Sequence, residues 1–155
     1  MSHIKIILEP RYVLNPPQAD IYINDEKLAI CEFMETHIPV TFDFEVDLLD
    51  KNTIAINRHS KTNRDTVMSG NKTISDQTLH IKNIFIEKVP MESLLHIGVF
   101  YPDYPEPWAT QQREQGITLV KSETYRSDLY HNGTWNFKFE NPIHPWFFTN
   151  INASF

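Results

Sequence analysis

The run Val40-Thr41-Phe42-Asp43-Phe44-Glu45-Val46-Asp47 decides the fold class. Apolar and polar residues alternate in it without a break. Val40, Phe42, Phe44 and Val46 therefore share one face, and Thr41, Asp43, Glu45 and Asp47 share the other. A period of two is the signature of a β-strand with one face on a core and one in water. Strands of that kind belong to antiparallel sheets.

Working outward, the same period recurs along most of the chain. Ile4–Leu8, Asp20–Asn24, Lys27–Phe33, Thr53–Asn57, Thr78–Val89, Ile117–Val120 and Thr134–Phe139 all read as strands. Asn24-Asp25-Glu26 reads as a hairpin turn. The alternation of Leu79, Ile81, Ile84 and Ile86 slips by one residue at Lys82-Asn83, which predicts a β-bulge. Met91–His96 is long enough for one helical turn. Many short strands with little helix point to two packed antiparallel sheets. The expectation is an all-β, jelly-roll-like β-sandwich occupying residues 1–155 as a single domain, with a closed barrel as the alternative. Four glycines are few for so many turns, so Asn and Asp are expected at left-handed positions.

Tyr101-Pro-Asp-Tyr-Pro-Glu-Pro-Trp108 breaks this pattern. Each proline removes a backbone donor and fixes φ, so the segment reads as a rigid loop. Loops carrying flat rings suit recognition of a sugar or a protein partner at low entropic cost. Tyr104 and Trp108 are the leading candidates for exposed platforms, with Tyr101 and Trp146 added as partner- or glycan-binding residues. Tyr125 and Tyr130 belong to the same aromatic third of the chain. Trp135 alternates with Phe137 and Phe139 and is expected in the core. The proline-punctuated end, Pro142 to Phe148, is expected to cover one end of the sandwich or an interface.

The formal net charge of −6 argues against nucleic acid and anionic membranes as partners. Acids concentrate between Asp20 and Asp50, where Lys27 is the one base. Arg58, Lys61 and Arg64 form a basic run, read as solvated surface. One cysteine, Cys31, excludes an internal disulfide, and its apolar neighbours Leu28-Ala29-Ile30 predict a buried structural thiol. Met1 to Leu8 is too short and too charged for a secretory signal, and no apolar run approaches the ~18–20 residues of a membrane span. A chain made in a cytoplasm and not secreted by a signal peptide is expected.

Catalytic motifs are scarce. The seven histidines show no paired spacing for zinc. No Gly-x-Ser-x-Gly elbow or phosphate-binding glycine loop occurs. Asp43, Glu45 and Asp47 lie about 7 Å apart along one strand face, within reach of glycosidase chemistry. Solubility alone also produces such a row. The long polar stretch Arg58–Gln77 holds Asp65, Asn71 and Asp76, and Asp103 and Glu106 follow in the proline segment. A calcium ion pinning that stretch is one expectation, and no cofactor is the other.

Ala19–Leu28, an alternating strand, and then Thr78–Glu87 resemble the β-sandwich of calcium-dependent carbohydrate-binding modules. That resemblance implies a glycan partner and calcium. Gly98–Ala109, His131–Phe139 and Pro142–Trp146 resemble small proteins of tailed bacteriophages. This second resemblance implies a capsid, tail or baseplate accessory, located in the virion, whose partners are other virion proteins or copies of itself. The leading expectation is thus a non-enzymatic virion structural protein acting through protein–protein contacts. Carbohydrate binding to host glycans is the alternative, and a glycoside-active enzyme using the acidic strand face is the third.

Overall fold

A computed structural model describes residues 1–124 and 126–153. The chain runs through β1 (Ser2–Arg11), β2 (Gln18–Ile23), β3 (Glu26–Cys31), β4 (Val40–Val46) and β5 (Lys51–His59). A short hairpin follows, β6 (Val67–Ser69) with β7 (Lys72–Ser75). Then come β8 (Thr78–Ile86), β9 (Val89–Pro90), a 3-10 turn over Glu92–Ile97, and β10 (Val99–Pro102). Helix α1 (Trp108–Glu114), β11 (Asp128–Leu129), β12 (Gly133–Glu140) and α2 (Ile143–Ala153) complete it.

Two five-stranded antiparallel sheets form the expected sandwich. One has the order β11-β8-β1-β4, with β9 paired to β8, and the other has the order β10-β12-β5-β2-β3. The sequence alternation sets which residues meet between them. Ile4, Ile6 and Leu8 of β1 and Leu79, Ile81, Ile84 and Ile86 of β8 face Ile21, Ile54, Ile56, Trp135, Phe137 and Phe139 in one buried cluster. Phe42 and Phe44 pair with Ile6 and Ile4 and share their face. They are half-buried because β4 is the last strand of its sheet.

The bulge falls where the slip predicts. Ile7 pairs with Asn83 and Leu8 with Ile81, so Lys82 is the extra residue. Asn24 and Asp25 take φ of 50° and 67°, joining β2 to β3 through a two-residue left-handed turn. Glu87 and Lys88 do the same between β8 and β9, although neither is a customary turn residue there. Cys31 is buried, and burial, aided by Asp20, pushes its thiol up to about 12.

Several expectations are corrected. Tyr101 and Pro102 lie in β10 and Trp108 opens α1, so the proline loop shrinks to residues 103–107. Pro102 is tolerated because β10 is an edge strand, and Pro107 because it stands just before a helix. Ile117–Val120 forms no strand. The segment after Pro142 is helix α2, with Pro145 in the first turn, where a backbone donor has no partner to lose. The polar stretch after Arg58 contains a 3-10 turn and the β6–β7 hairpin.

Gly98 shows how tightly the core closes. A Cβ there would stand 2.3 Å from the Trp135 ring. Gly98→Ala must displace that ring and is expected to destabilise the fold by about 2 kcal/mol. Urea denaturation followed by tryptophan fluorescence measures the loss.

Candidate functional site

At one end of the sandwich, loops from both sheets converge on a buried cation. Arg58 extends the inward row Ile54, Ile56 by one more strand repeat and is 0% exposed. Its Nη2 donates to the Gln77 backbone oxygen at 2.7 Å and to Gln77 Oε1 at 2.6 Å. Its Nη1 donates to the Tyr130 oxygen at 3.1 Å. Burial pulls its pKa down to about 10, and Asp76 and Asp65 act against that pull, so it stays charged at neutral pH. The basic run read as surface thus supplies an anchor instead. It ties β5 of one sheet to the start of β8 in the other and to the chain entering β12.

Lys61 extends this network. Its Nζ donates to the Tyr130 oxygen at 2.6 Å and pairs with Asp76 Oδ1 at 2.6 Å. Asp76 Oδ1 also accepts from Thr66 Oγ1 at 2.7 Å and from its neighbour's amide, Gln77 N, at 2.8 Å. Asn132 clamps the backbone of Lys61 from both sides, accepting from its N at 2.9 Å and donating to its O at 3.1 Å. Asp65 binds the Thr62 amide and hydroxyl through Oδ2 and the Asn15 amide through Oδ1.

These bonds hold open a cleft of about 490 Å³. It is lined by Lys61, Thr66, Met68, Thr73 and Asp76 from the chain between β5 and β8, by Pro105, Glu106 and Trp108 at the start of α1, and by His131 and Asn132. Its volume lies within the ~300–1,000 Å³ of small-ligand sites. The aromatic wall is a three-ring packing. Tyr104 stands 6.0 Å from Trp108 and 5.2 Å edge-on from His131, and Trp108 stands 6.0 Å from His131. Tyr104 Oη donates to the Val120 oxygen at 2.9 Å, which fixes the ring. Trp108 and Tyr104 are both half-buried; Trp108 lines the cleft, and Tyr104 packs against Trp108 and His131 behind it.

Of the four residues expected in a site, Tyr104 and Trp108 come together. Tyr101 is 47% exposed on β10 and does not line the cleft. Trp146 sits at the other end of β12, edge-on to Phe137 and Phe139. Trp135 is in the core as expected. Tyr125 lies outside the described residues. His131 carries no spacing signal and emerges only from the fold.

Asp43, Glu45 and Asp47 project from an open strand face, with Asp43 bonded to His3 Nε2 at 2.9 Å. All three are exposed to solvent along that face. Asp65 and Asp76 are engaged by protein donors, and among the described residues no three His, Cys, Asp or Glu side chains group to hold a metal. No described helix is long and apolar enough to cross a membrane.

Two solved structures share this architecture. One is vCBM60 in a selenomethionine form, described with two families of calcium-dependent carbohydrate binding modules. It superposes with a TM-score of 0.53 at 9% identity, covering 88% of this chain and 90% of that one. The other is vCBM60 in complex with galactobiose, with a TM-score of 0.54 at 8% identity, covering 87% and 96%. At such identity the likeness establishes the β-sandwich fold. Neither a protein-family model nor a curated protein sequence matches the chain.

Two outcomes follow from this geometry. Arg58→Ala leaves the Gln77 and Tyr130 acceptors without their buried donor and opens a void, so a loss of about 3 kcal/mol is expected in chemical denaturation. The second concerns pH. Burial, reinforced by Lys61, lowers the His131 pKa below its ordinary 6.5. The unfolded chain therefore takes up this proton first. Stability is full above pH 6.5 and declines as pH falls through the window below it. His131→Asn is expected to remove that part of the decline in thermal melts across pH.

Proposed function

We propose that this chain is a non-enzymatic carbohydrate-binding β-sandwich that takes a neutral sugar in the Trp108–His131 cleft. The observation that carries this reading is the joint presence of rings and polar groups in the lining of the cleft. Trp108 and His131, backed by Tyr104, supply the rings, and the Thr66 and Thr73 hydroxyl oxygens, whose protons go to Asp76 and Met68, stand as acceptors beside the Lys61–Asp76 pair. A sugar has both an apolar ring face and a rim of hydroxyls, so it is complementary to both kinds of group. The likeness to vCBM60, one of whose structures holds galactobiose, supports the same reading. In this account binding uses protein groups and needs no calcium, because the carboxylates nearby are spent on protein donors.

A virion role through protein–protein contacts is the second reading. It is favoured by Ile30, Met34 and Ile38, exposed at 69%, 85% and 51% along the end strand β3 and the chain that follows it. The two readings are compatible in a glycan-binding accessory of a phage particle, made in its host's cytoplasm.

A glycan array followed by affinity electrophoresis tests the first reading. Retardation by at least one neutral polysaccharide, equal in calcium and in chelator, is expected. Trp108→Ala should weaken it about tenfold or more. An unretarded wild-type chain, or retardation indifferent to Trp108→Ala, sinks the cleft as the site.

A further inference from the structure

The cleft does not end at His131. Asp76 and His131 also line a second depression, of about 280 Å³, whose other walls include Glu123, Arg126, Asp128 and Tyr130. Arg126 in turn lines a third, of about 270 Å³, together with His80 and Lys82. The three depressions are therefore neighbours: the first and second share Asp76 and His131, and the second and third share Arg126. Together they offer more surface than one sugar ring occupies.

The chemistry of the second depression matches that of the first. It has its own flat surface, since Tyr130 is 40% exposed and carries the Arg126 guanidinium 5.8 Å from its ring centre. Its charges are also internally compensated. Asp76 pairs with Lys61 at 2.6 Å and Glu123 with Arg126 at 2.8 Å, and Asp128 is hydrogen-bonded to His80 Nδ1 at 2.8 Å. Arg11 adds a second contact to Asp128 at 3.5 Å. Paired groups of this kind keep donors and acceptors at the surface without a net field, which suits neutral hydroxyls over an ionised substituent.

We infer that the ligand is a chain of neutral sugars rather than a single ring, running from Trp108 past His131 onto a second subsite built on Tyr130 and Arg126. This rests on the sugar-binding reading above. Trp108 anchors the first unit, and Tyr130 with Arg126 adds contacts that only a longer ligand reaches. Because the Tyr130 backbone oxygen, not its ring, serves Arg58 and Lys61, truncating the ring leaves the anchor intact.

Isothermal titration with glucose, galactose and xylose series of one to four units separates the possibilities. Affinity is expected to rise about tenfold or more from one unit to four. Tyr130→Ala and Arg126→Ala should remove that gain and leave the single-unit affinity unchanged, and circular dichroism verifies that both variants are folded. Affinity that stays flat with length but depends on Trp108 overturns the second subsite and leaves the cleft standing. Equal losses for short and long ligands in the two variants overturn it as well. If no member of the series binds the wild-type chain, the cleft reading falls and this one falls with it.

Discussion

The buried guanidinium of Arg58 is the constraint on which the cleft end of this molecule depends. A fully desolvated cation is costly unless its donors are satisfied. Here Gln77 and Tyr130 accept from the two Nη groups, while Nε is left without a hydrogen-bond partner, and these acceptors belong to segments that enter different sheets. Binding the two Nη groups therefore fixes the separation of the two layers at that end and the path of the chain into β12. The hydrophobic cluster stabilises the sandwich in general. The Arg58 network specifies how its loops are arranged.

From that anchor the cleft follows in physical order. The Tyr130 oxygen held by Arg58 is also held by Lys61, and Lys61 is clamped by Asn132. His131 lies between these two fixed residues, so its ring is presented to Tyr104 and Trp108 at a defined distance. The aromatic wall is thus preorganised by a polar network behind it, and little conformational entropy is left to lose when a ligand stacks there. The same proximity to Lys61, added to desolvation, keeps His131 neutral at physiological pH.

The layers of the sandwich were legible in the sequence because they obey one rule. Alternation in Val40–Val46, Thr78–Ile86 and Gly133–Glu140 names both the strands and their buried faces, and the slip at Lys82-Asn83 names the bulge. Arg58 was missed by reading β5 as ending at Asn57. Two more residues of the same alternation place it inward after Ile54 and Ile56. The helices were hidden for another reason. Prolines at 107, 142 and 145 signal helix breaking in the interior, yet all three stand at helix starts, where they are tolerated. The Tyr104–Trp108 half of the candidate site was readable from composition, whereas His131 is recruited across sequence by the Arg58 network and leaves no local signature.

The central claim is that ligand recognition resides at the Trp108 end of the molecule. The chain has three tryptophans in separate settings: Trp108 at the cleft, Trp135 sealed in the core and Trp146 against Phe137 and Phe139 at the other end of β12. Their indole N–H signals in a proton–nitrogen correlation spectrum report on each setting separately. On titration with neutral oligosaccharides the account predicts a progressive, saturable shift of the Trp108 signal while those of Trp135 and Trp146 stay in place. A saturable shift confined to Trp146, or a Trp108 signal unmoved by saccharides that bind the protein, would contradict it.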